Sequence, residues 1–165
     1  MLKHLYFICP TDNLETIIEN TFSNTNYYLS SLGNTINFDQ GFIEEVNAQI
    51  RAKGISEITF ILFDTNRIIL DLYALEEKKS MENIDKFFSN EHKNKEDKTI
   101  SEQQGVYYSQ LIATYLYSKI RELQLAMSES SHKHLKINGQ VYNRKMNIFT
   151  EIKNRTACYS SFSLN

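Results

Sequence analysis

The sequence predicts an α/β domain built on a mostly parallel central sheet with flanking helices. Three observations point there. Apolar runs alternate with helical periodicities in the order strand, helix, strand, helix, strand, which favours parallel strands joined by right-handed crossovers. The run Ile58–Phe63 (ITFILF) is near-continuously apolar and β-branched, as in a central strand covered on both faces. Lys53-Gly54 immediately before it is a helix stop, since glycine accepts the left-handed conformation there.

Taken in order, His4–Cys9 (HLYFIC) is a short apolar run closed by Pro10-Thr11-Asp12-Asn13 and reads as a buried strand feeding a turn. Thr11 or Asp12 is placed to cap a helix carrying Leu14, Ile17, Ile18 and Phe22 at helical spacing. Tyr27–Leu32 is a second strand, closed by Gly33-Asn34. Phe42–Ala52 sets Ile43, Val46 and Ile50 on one helical stripe opposite Glu44, Glu45, Gln49 and Arg51. From Glu76 to about residue 104 the chain is charged and reads as an exposed loop. Gly105–Met127 is the longest helical pattern, through Val106, Leu111, Leu116, Ile120 and Leu123. Alternation over Leu135–Tyr142 predicts a strand with Gly139 at a bulge or bend, and 157–165 is a Ser-rich tail with Tyr159, Phe162 and Leu164 as anchors.

At 165 residues the chain suits a single domain, 1–165. Its net charge of -2 comes from interspersed acids and bases, so no bulk field draws nucleic acid or an anionic membrane. No stretch approaches the roughly 18 apolar residues of a membrane span, and the N-terminal apolar run is too short for a signal sequence. Cys9 and Cys158 are expected as free thiols of a cytoplasmic protein.

Ligands of open α/β sheets sit beyond the carboxyl ends of the strands. Three polar clusters fall there: Cys9–Asn13, Ser30–Asn34 and Asp64–Arg67. They supply the candidate cleft residues Cys9, Asp12, Ser31, Gly33, Asn34, Asp64, Asn66 and Arg67.

These clusters are also where the chain resembles the β-class carbonic anhydrases. Cys9-Pro-Thr-Asp12 is similar to that family's Cys-x-Asp-x-Arg, and Ser31-Leu-Gly33-Asn34 to its Asn-Ala-Gly-Asn. The segment Gly54 through Asp64-Thr-Asn-Arg67 resembles the strand ending in Gly-His-x-x-Cys-Gly, and Ile137-Asn-Gly139-Gln-Val-Tyr142-Asn143 resembles Val-x-Gly-x-x-Tyr-Asp. The resemblance implies Rossmann-like layers and a homodimer, which the apolar long helix also suggests. The family's zinc is held by two thiolates and an imidazole. Only Cys9 matches; the histidine position falls on Phe63 or Asp64 and the second cysteine on Asn66 or Arg67. Neither alignment supplies the three or four ligands that zinc needs, so no metal or other cofactor is expected.

Other chemistries weigh less. His132 and His134 could share a face of a strand, but the segment reads as a solvated loop. Asp12 reads as a helix cap, Cys9 as a small buried apolar residue with no nearby histidine base, and His4 as an exposed or edge residue. The expectation is a non-catalytic relative in which Arg67 holds a small carboxylate or phosphate with the N–H groups near Gly33-Asn34. Alternatives are an interaction or regulatory subunit using the long helix and tail, and an enzyme of unrelated chemistry using Cys9 and Asp12.

Overall fold

The computed structural model describes residues 2–85, 100–128 and 134–152. Five strands form one sheet in the order β2-β1-β3-β4-β5: β1 (Lys3–Ile8), β2 (Thr25–Ser30), β3 (Glu57–Phe63), β4 (Lys136–Asn143) and β5 (Ile148–Glu151). The pairs β1·β2, β1·β3 and β3·β4 are parallel, and β4·β5 is an antiparallel hairpin. The helices are α1 (Glu15–Thr21), α2 (Gln40–Lys53), α3 (Arg67–Asp85) and α4 (Ile100–Ala126).

Strand alternation divides the core between the two faces. On one, Leu5, Phe7, Ile58, Phe60 and Leu62 pack with Val46 and Ile50 of α2, Ile69 of α3, and Ile112, Leu116 and Leu123 of α4. The Phe7 and Phe60 rings meet edge to face at 4.6 Å, a geometry that adds about 1 kcal/mol to the burial itself. On the other face, Tyr6, Ile8, Ile61, Phe63 and Tyr142 pack with Leu14 and Ile18. Asp39 caps α2 by accepting from the Phe42 N–H, and Gly54 ends that helix at φ 67°.

Several expectations change. α3 runs to Asp85 and α4 begins at Ile100, so residues 76–85 and 100–104 are helical rather than loop. Leu, Glu, Lys and Met are strong helix formers, and Ile69 and Tyr73 give α3 its core-facing stripe. Gly139 makes no bulge; it sits in register opposite Phe60. A Cβ there would stand 2.7 Å from Ile120 Cδ1 and 2.9 Å from Ile152 Cδ1, so its role is close packing beneath α4. β5 was not foreseen. His4 is neither exposed nor on an edge: it is 8% exposed on β1, between β2 and β3. Its Nε2 lies 2.6 Å from Glu57 Oε2 and its Nδ1 3.0 Å from Asn24 Nδ2. Residues 86–99, His132, Cys158 and the tail lie outside the described residues.

Candidate functional site

The ends of β1 and β3 are closed by hydrogen bonds from the polar clusters. β1 delivers Cys9, fully buried, whose Sγ lies 2.9 Å from Thr11 Oγ1 and accepts the Gly33 N–H at 3.1 Å. Gly33 has φ 58°, and a Cβ on it would stand 2.8 Å from Ile69 Cδ1, so only glycine suits this turn. Asn34, also fully buried, donates from Nδ2 to the Phe7 and Ile61 carbonyls at 3.1 and 3.3 Å, tying together the ends of β1 and β3. Its own N–H donates to the Ser31 carbonyl, and the Ser31 N–H donates to Ile8. Ser31 thus contributes through its backbone.

The second cluster centres on Asp12. Its Oδ2 accepts the Phe63 N–H at 2.9 Å and its Oδ1 accepts from Asn66 Nδ2 at 2.9 Å. Burial pushes this carboxyl above its ordinary range, against the pull of those two hydrogen bonds and of the Arg144 guanidinium. Arg144 lies over the Phe63 ring at 4.4 Å. Asn66 Oδ1 in turn accepts the Ile69 N–H, capping α3. Asp12 is therefore not the cap of α1, whose N-cap is Leu14 and has no side-chain capping bond. Asp64 accepts from Asn143 Nδ2 at 2.7 Å; burial raises its carboxyl, opposed by a hydrogen bond from Thr65 and by the Lys145 charge.

This arrangement does not fit zinc. Of the residues matched to the family's imidazole, Phe63 is a buried phenyl ring and Asp64 is bonded to Asn143. Of those matched to its second thiolate, Asn66 is a buried carboxamide committed to Asp12 and the α3 backbone, and Arg67 is exposed. Among the described residues Cys9 is the one cysteine there, and no three His, Cys, Asp or Glu side chains gather as a metal-ligating group. His134 is exposed.

Arg67 stands apart from this network. One of the two alignments sets Arg67 at the second cysteine's place, but Asn66 points inward and Arg67 is exposed. The N–H groups of Gly33 and Asn34, expected to share an anion with Arg67, are spent on Cys9 and Ser31. Arg67 instead lines a groove of about 490 Å³ between α3 and α4, with Thr65, Leu70, Asp71, Tyr73, Ala74, Tyr107, Tyr108 and Leu111. It makes no hydrogen bond, ion pair or ring contact with any described residue. These groove partners were missed because no helix is expected between Asp64–Arg67 and the charged stretch from Glu76. The signal was present: Arg67, Leu70, Asp71 and Ala74 follow three- and four-residue spacing.

No protein-family model matches the chain, and no curated protein sequence matches it. Solved structures do. The wild-type β-carbonic anhydrase CafD of Aspergillus fumigatus superimposes with a TM-score of 0.57 at 14% identity, over 93% of this chain and 90% of that one. CafA of the same fungus gives 0.55 at 14% identity, over 91% and 74%. A β-carbonic anhydrase of Sordaria macrospora, one of two described as tetrameric, gives 0.52 at 13% identity, over 92% and 80%. At these identities the likeness establishes a β-carbonic anhydrase-like α/β fold. Among the described residues no helix is long and apolar enough to cross a membrane.

Proposed function

We propose that this chain is a zinc-free, non-catalytic protein on the β-carbonic anhydrase plan that binds a small anion through Arg67. One observation carries the reading: Arg67 is the first residue of α3, it has no acidic neighbour in that first turn, and it faces a groove of about 490 Å³ without a partner among the described residues. A cation at a helix N-terminus adds to the positive end of the helix dipole instead of offsetting it, so an anion there is favoured by both. The hydrogen-bonded closure around Cys9, Asp12 and Asn66 supports the non-catalytic half of the reading, because it leaves no set of open ligand positions for a metal-bound hydroxide.

The test is thermal shift with sodium acetate and sodium phosphate, each against chloride at equal ionic strength. Wild-type protein is expected to gain Tm with one or both, and Arg67→Ala to gain none. Equal shifts in the two proteins would remove Arg67 from the reading.

Homodimerisation and a cytoplasmic setting belong to the same proposal. The exposed apolar side chains Leu72 and Leu75 on α3 and Val106 on α4 suit burial against a second copy. A monomer by light scattering would contradict the dimer.

A further inference from the structure

The groove that holds Arg67 also holds its opposite charge. Asp71 lies four residues on along α3, about one turn or 6 Å, and lines the same groove. Four-residue spacing brings an acid and a base within reach of each other. Yet Arg67 and Asp71 form no ion pair, and neither has a hydrogen-bonding partner among the described residues. Between and beside them the lining is aromatic and aliphatic: Leu70, Tyr73, Tyr108 and Leu111 are all half-buried.

Two features argue against a bare inorganic anion as the fitted ligand. The volume of about 490 Å³ lies in the range of sites that enclose organic molecules, commonly about 300–1,000 Å³. An anion at Arg67 would also feel the Asp71 carboxylate one turn away, with nothing on the ligand to answer it. A ligand with a carboxylate and, a few ångströms from it, an ammonium group answers both charges. An apolar body on the same molecule would cover Leu70, Tyr73 and Leu111, and a ring would gain edge or face contacts with Tyr108.

We propose that the α3–α4 groove binds a free α-amino acid with a large apolar or aromatic side chain, its carboxylate on Arg67 and its ammonium on Asp71. This rests on the anion reading above, sharing Arg67, and goes beyond it in naming the ligand class. No covalent step is involved.

The test is titration calorimetry of the full chain with L-phenylalanine, 3-phenylpropionate, which lacks only the ammonium group, and acetate. L-Phenylalanine is expected to bind about 5- to 10-fold more tightly than 3-phenylpropionate, as a charge-assisted hydrogen bond at a half-exposed site would give. Asp71→Asn is expected to erase that preference while keeping 3-phenylpropionate binding, and Arg67→Ala to weaken both. Both side chains are exposed and unpaired among the described residues, so circular dichroism should find the variants folded. If 3-phenylpropionate binds as well as L-phenylalanine, or the preference survives Asp71→Asn, the amino-acid inference is overturned while carboxylate binding through Arg67 stands. If no carboxylate binds the wild type, the amino-acid inference falls and the anion reading keeps only phosphate.

Discussion

Asn66 donates to the Asp12 carboxylate at 2.9 Å across 54 positions of sequence, and the second oxygen of that carboxylate accepts the last N–H of β3, from Phe63, at 2.9 Å. One buried acid thus fastens the turn after β1 to the end of β3 and to the start of α3. Asn66, one of the two residues matched to the second thiolate of the β-class carbonic anhydrases that the sequence resembles, is here a carboxamide facing an acid. Removing Asp12 leaves a backbone donor and an amide donor without acceptors. Asp12→Ala should therefore cost about 1–3 kcal/mol in urea denaturation, with an unchanged m-value; a loss within about 0.5 kcal/mol would contradict the role given to Asp12.

The same carboxyl predicts a pH dependence. Its folded-state pKa is raised above the ordinary value, chiefly by burial. The native state therefore holds this proton more tightly than the unfolded state does. The resulting stability is fully present below the ordinary carboxylate value and is lost as pH rises through the raised one. The stability of wild type relative to Asp12→Asn should fall as pH climbs through that window and then level off. A difference that grows with pH there would show that the hydrogen bonds to the carboxylate outweigh its burial.

Gly33 is the point where backbone and packing agree most tightly. It needs φ 58°, and a Cβ would stand 2.8 Å from Ile69 Cδ1 and 3.0 Å from Ile68 Cγ2. Gly33→Ala should destabilise by about 1–3 kcal/mol through overpacking and the left-handed backbone together. Unchanged thermal stability would mean that the turn relaxes freely.

Cys9 is fully buried and accepts the Gly33 N–H. A thiol reagent applied to native protein, with labelled peptides mapped, should leave Cys9 unmodified until denaturant is added. Rapid native labelling of Cys9 would revive the reading in which it acts as a nucleophile.

Much of this fold was legible because its core strands are written plainly. Ile58–Phe63 has no competing reading, and Pro10, Gly33 and Gly54 punctuate the crossovers. The hairpin strand β5 was illegible because Ile148–Glu151 is four residues long and mostly exposed, giving no run to detect. α3 was not legible as a helix: Asp64–Arg67 reads as a polar strand-end cluster and the charged stretch from Glu76 as a loop. His4 misled because its neighbour Lys3 suggested an edge, whereas Glu57 on β3 and Asn24 before β2 supply its partners. At the site, the strand-end residues were found from sequence, but their division was not. Position along the chain could not reveal that Asn66 turns inward to Asp12 while Arg67 is exposed and lines the α3–α4 groove.

The central claim is that the strand ends of this fold are closed by hydrogen bonds and hold no zinc. Metal analysis of protein purified after expression in zinc-supplemented medium tests it most directly. The account predicts zinc well below one equivalent per chain, unchanged in Cys9→Ser. One equivalent of zinc in the wild type, lost in Cys9→Ser, would contradict it.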